Sequence, residues 1–157
     1  GDRSLRVCFI HQNMPGQYRH MIAAMLERGD EVIGIGEQAA IQRYTLRHAK
    51  LNLLGYGIPP DDKRPAVPPH LREFDLQIAR GQAVAKALRL LKDKALDPDL
   101  IVVHPGWGEA MFVRSEYPDV PLLGYCEFFY RARGADYGFD PEYASGPAGL
   151  HRLQVRK

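Results

Sequence analysis

The sequence predicts an α/β fold, a Rossmann-like parallel sheet with flanking helices, on three observations. The first is a pair of short apolar runs, Leu5-Arg6-Val7-Cys8-Phe9-Ile10-His11 and Leu100-Ile101-Val102-Val103-His104, that read as buried strands. The second is that segments with apolar residues at helical spacing alternate with such runs. The third is that Gly and Pro turns separate them, so the order strand, helix, strand occurs twice. A crossover of that kind makes neighbouring strands parallel.

Each element follows from local pattern. Leu5 to His11 is the first strand, and Asn13-Met14-Pro15-Gly16 is the turn after it. From Gln17 to Arg28 the apolar Tyr18, Met21, Ile22, Met25 and Leu26 recur three or four apart, and Gly29 caps the helix they predict. Glu31 to Gly36 is the second strand, and Tyr44–Leu46 and Leu51–Leu54 read as short ones. Residues 55–69 hold Gly55, Gly57, Pro59, Pro60, Pro65, Pro68 and Pro69 and read as a long loop. A long helix is predicted from His70 to Leu96, with Leu71, Phe74, Ile78, Gly81, Val84, Leu88, Leu91 and Ala95 facing the sheet. Asp97-Pro98-Asp99 stops it, since a residue before proline is pushed out of helical backbone. Pro105 to Gly108 is a turn, Glu109 to Glu116 a short helix, and Leu122 to Cys126 a further strand. From Arg131 onward Gly and Pro predict loop, with a helix beginning at Leu150, so the chain is expected to stop in mid-fold.

Composition narrows the class. The 157 residues are 45% apolar and 25% charged with a formal charge of +2, which excludes disorder and collagen. A chain of this length buries on the order of 70% of its unfolded surface, enough for one domain with one core. No run of about 18 apolar residues could span a bilayer, and no secretory leader opens the chain, so a cytoplasmic protein is expected. Lysines and arginines are scattered rather than blocked, which argues against a nucleic-acid partner. Cys8 and Cys126 lie in apolar runs without metal spacing and read as free thiols. The chain opens on Gly1 without a Met, and Gly1 to Ser4 fit a processed end or a tag remnant.

Ligands of an open α/β sheet bind at the carboxyl ends of its strands. Four polar clusters fall there: His11-Gln12-Asn13, Gly36-Glu37, His104 to Glu109, and Glu127 with Tyr130 and Arg131. Each alone reads as a hydrogen-bonded loop, whereas the four together predict a pocket. A histidine at a strand end can hydrogen-bond or accept a proton in a polar cleft. Gly16, before a helix, lets backbone N–H groups approach an anion, or is a plain turn. Trp107, in the turn after a strand, borders this pocket or packs in the core. Gly34-Ile35-Gly36-Glu37-Gln38-Ala39 matches G-x-G-x-x-A, but that fingerprint belongs to the first βα turn, and no acidic strand end follows about twenty residues on. No nicotinamide cofactor is expected. The spacing of His104 and Glu109 matches no zinc pattern, and no G-x-S-x-G serine exists, so neither a metal nor nucleophilic hydrolysis is indicated.

Val7 to His20, the string Pro98-Asp99-Leu100-Ile101-Val102-Val103-His104-Pro105-Gly106-Trp107-Gly108-Glu109, then Glu127-Phe128-Phe129-Tyr130-Arg131 and Gly138-Phe139-Asp140-Pro141 carry a resemblance. Together they resemble the N-terminal domain of family 4 (group 1) glycosyltransferases, over most of the chain. The resemblance implies a GT-B architecture, two Rossmann-like domains across a cleft, with the acceptor held mainly by the N-terminal one. It implies a sugar-nucleotide donor held mainly by a C-terminal donor-binding domain that this chain lacks. It also implies a sugar or lipid-linked acceptor, peripheral membrane contact and no metal or other cofactor. By the same resemblance Gly16 would approach the donor diphosphate and His104 would contact the transferred sugar or acceptor as the catalytic candidate. His11, Trp107, Glu109, Glu127, Tyr130 and Arg131 complete the expected substrate site. The alternative is a non-catalytic Rossmann-like module that binds a small ligand.

Overall fold

A computed structural model describes residues 3–126. Its sheet has five parallel strands in the order β3-β2-β1-β4-β5, five strands of the doubly wound order. The strands are β1 (Arg6–Ile10), β2 (Glu31–Glu37), β3 (Leu51–Tyr56), β4 (Leu100–Val103) and β5 (Leu122–Gly124). The helices are α1 (Arg19–Arg28), α2 (Gln38–Arg43), α3 (Arg72–Asp93) and α4 (Val113–Glu116), with single 3-10 turns at Gly16–Tyr18, Asp61–Lys63 and Pro69–Leu71.

Side chains alternate across a strand, so the apolar runs feed two cores. Val7, Phe9, Val32 and Val102 pack with Tyr18, Ile22 and Leu26 on the α1 face. Cys8, Ile10, Ile33, Ile35, Ile101 and Val103 pack with Val84, Leu88 and Leu91 on the α3 face. Continuous apolar runs are what a sheet covered on both sides requires. Gly34 and Gly36 both lie within β2, where a Cβ on either would press on Met14, which is 2% exposed. These glycines make room for the loop after β1, which accounts for the dinucleotide-like spacing.

Several elements differ from expectation. Tyr44–Leu46 is not a strand: Tyr44 caps α2, a six-residue helix too short to leave a periodic signal. β3 runs on to Tyr56, inside the stretch expected to be loop. α3 spans Arg72–Asp93 rather than 70–96, and its stripe is buried only further along. Leu71 and Phe74 are exposed because the first turn lies outside both core clusters, and Ala95, at positive φ beyond the helix end, is exposed too. Glu109 precedes a helix confined to Val113–Glu116, and β5 ends at Gly124. The proline-rich loop is tied to α3 by Arg64, which reaches the Pro59 carbonyl at 2.9 Å and Asp75 at 3.2 Å. Among the described residues no helix is long and apolar enough to cross a membrane.

Candidate functional site

The order of the sheet reverses between β1 and β4, and the loops that leave these two strands diverge there. Such a switch point opens a crevice at the carboxyl ends of the strands. Ile10 pairs with Val103 in register, so the residues that follow, His11 and His104, leave the sheet side by side. His104 N–H donates to the Ile10 carbonyl and His11 N–H to the Ile35 carbonyl, each at 3.0 Å, anchoring both backbones to the sheet. The two imidazoles stack with centroids 4.7 Å apart and planes inclined by 39°. Tyr18, from the turn before α1, meets His11 edge-on at 5.8 Å.

Two glycines make this packing possible. A Cβ on Gly16 would lie 2.6 Å from His11 Nε2, and one on Gly106 would lie 2.8 Å from His104 Cε1. Gly16 has φ +51, a left-handed backbone that costs glycine little. Its own N–H is occupied by the Asn13 carbonyl at 3.0 Å, so what Gly16 supplies here is a close approach of backbone to the His11 ring.

Glu109 lies beneath the loop with no exposed surface. Its Oε2 accepts the Trp107 N–H at 3.0 Å, and its Oε1 accepts the Gln12 N–H at 3.4 Å and sits 3.5 Å from His104 Nδ1. One carboxylate thus joins the loops after β1 and β4, and it meets backbone and His104 rather than solvent. A buried carboxylate needs such donors, since desolvation without them is costly.

Arg80 completes the support and escaped sequence reasoning, because it sits among the apolar positions of α3. It is 7% exposed; one nitrogen donates to the Trp107 carbonyl at 2.8 Å and another pairs with Glu37 at 3.1 Å. The signal that could have found it is a cation in helical phase with Val84 and Leu88, where an unpaired charge would not be tolerated. Tyr56, at the end of β3, is buried nearby; burial pushes its phenol up, and the charges of Glu109 and Glu37 push in the same direction against Arg80. Gly108, at φ +100, lets the loop touch α3: a Cβ there would overlap the Gln77 carbonyl, and one on Gly81 would lie 2.9 Å from the Gly108 oxygen.

Of the expected site residues, the structure therefore brings together His11, Gly16, His104, Trp107 and Glu109. Trp107 is held by its backbone while its side chain is open, at 47% exposure, and is not a core residue. Glu127, Tyr130 and Arg131 lie outside the described residues. Among the described residues no three His, Cys, Asp or Glu side chains converge as a metal site would require.

Comparison with known proteins places this geometry in context. CalG4, the calicheamicin glycosyltransferase, superposes with a TM-score of 0.53 at 16% identity, covering 99% of this chain and 40% of that one. A UDP-glucose:anthocyanidin 3-O-glucosyltransferase solved in complex with UDP also gives 0.53, at 13% identity over 80% of this chain and 30% of its own. At such identities the likeness is one of fold, and the chain spans less than half the length of either structure. No curated protein matches the sequence. The model of the glycosyl transferase family 4 group matches residues 28–157, the stretch that includes His104 to Glu109. The chain belongs to the glycosyl transferase family 4 group.

Proposed function

We propose that this chain is the acceptor-side half of a group 1, GT-B glycosyltransferase that moves a sugar from a sugar nucleotide to an acceptor hydroxyl. The observation that carries the reading is the stacked pair His11 and His104 at the switch point between β1 and β4. That is where an open α/β sheet receives its ligand. His104 would contact the reacting sugar or the acceptor hydroxyl, with Trp107 offering its exposed indole to the apolar face of a sugar. Gly16 lets the loop backbone lie against the His11 ring, and Glu109 acts from beneath through the loop. Glu127, Tyr130 and Arg131 are proposed as further ligand contacts from the sequence resemblance alone.

The family membership and the UDP-bound fold neighbour support a nucleotide donor, held by a second, donor-binding domain. The acceptor is a sugar or a lipid-linked acceptor, and one linked to lipid would bring the enzyme into peripheral contact with a membrane. Free thiols at Cys8 and Cys126 suit a reducing cytoplasm.

The test is a transfer assay on the full polypeptide that the gene encodes, against a panel of sugar nucleotides and acceptors. Product formation with one donor, absent when this chain is assayed alone, is the expected result. A reading frame that ends at Lys157, or a longer product that binds sugars and transfers none, would instead establish a binding module.

A further inference from the structure

The geometry around His104 assigns a role to Glu109 that differs from ligand contact. We infer that Glu109 is a positioning residue that keeps the proton of His104 on Nδ1, so that the stacked His11 and His104 hold opposite tautomers.

His104 Nδ1 is shut off from solvent and has no hydrogen bond of ordinary geometry. It faces Glu109 Oε1 at 3.5 Å. A lone pair on Nδ1 would oppose the lone pairs of a carboxylate, whereas a proton there gains an acceptor, so the Nδ1–H form is favoured. Glu109 cannot turn away, because it has no exposed surface and the N–H groups of Trp107 and Gln12 hold its two oxygens. Enzyme hydrogen bonds that are long in the free protein commonly tighten when ligand binds.

His11 is oriented the other way. Its Nδ1 accepts the Asn13 N–H at 3.0 Å, so the neutral ring must carry its proton on Nε2. Two imidazoles 4.7 Å apart therefore present different chemistry. His104 keeps a lone pair on Nε2, the form that can accept a hydrogen bond from a ligand hydroxyl. This use rests on the transferase reading; the proton placement does not.

Long-range proton–nitrogen correlation on the 15N-labelled chain, at mildly alkaline pH, reads both rings directly. His104 is expected to show a protonated Nδ1 and a bare Nε2, and His11 the reverse. Glu109→Gln leaves one amide oxygen for three N–H groups, so it should move His104 to an averaged or Nε2–H pattern and leave His11 unchanged. A bare Nδ1 on His104 in the unsubstituted chain overturns the inference, as does an unmoved His104 in a folded Glu109→Gln protein. If that variant does not fold, the unsubstituted pattern decides alone. If the expected tautomers appear but the full-length protein transfers no sugar, the proposed function fails and the assignment of Glu109 stands.

Discussion

His11 and His104 occupy equivalent places on adjacent parallel strands, one residue beyond the paired Ile10 and Val103, and their rings stack at 4.7 Å. The contact joins residues 93 positions apart (104 − 11) through the crossover of the sheet. Everything beneath it serves to hold two loops together: Glu109 bridges them by hydrogen bonds, and Arg80 ties the second loop to α3 and to Glu37.

Gly108 is the first place where that arrangement can be broken. With φ +100 and no room for a Cβ against Gln77, Gly108→Ala should cost about 1–3 kcal/mol or more in urea denaturation. Gly57, with no neighbour within 4 Å of a Cβ, is the control. Gly57→Ala should change stability by less than about 0.5 kcal/mol.

Arg80→Met keeps much of the side-chain length and removes the charge. It leaves the part-buried Trp107 carbonyl and the half-exposed Glu37 without their partner, at a cost of up to about 1–3 kcal/mol where water cannot replace it. Since Trp107 is the only tryptophan, its emission should shift at the same time. A loss of stability with unchanged emission would mean that Arg80 does not hold the loop.

Asp30 sets an acid dependence away from the site. The Arg28 guanidinium and then the Leu5 N–H, bonded to a carboxyl that is almost wholly covered, hold it below the ordinary aspartate range. A depressed carboxylate contributes stability above its unfolded pKa, about 3.9, and loses it as pH falls through the folded value. Asp30→Asn should therefore unfold more readily than the natural chain at pH 7. The gap should close on acidification below about pH 4, where the natural carboxyl loses the same charge. Denaturation midpoints measured across that range check it, and a gap independent of pH would contradict it.

Much of this was legible locally. The strand, helix, strand units at 5–36 and at 100–124 and the long α3 leave repeating signals over many residues, and His11 and His104 are visible as polar residues that end apolar runs. What was not legible depends on partners distant in sequence. Nothing near Glu109 marks it as buried; one of its donors, Gln12, lies 97 residues away. Arg80 looks like an interruption of a helix stripe until Glu37 and the Trp107 carbonyl are seen beside it. α2 fails for a different reason, as six residues make fewer than two turns.

The proposed function puts sugar transfer at the histidine pair of the switch point. It is tested most directly by kcat/KM for the proposed transfer by the full-length protein with His104→Ala, beside circular dichroism of the same protein. An unchanged spectrum is expected, with kcat/KM lowered roughly tenfold to a thousandfold, the range for a residue that positions or accepts a proton. Unchanged kinetics in a folded His104→Ala protein would contradict it and leave His104 as a loop residue.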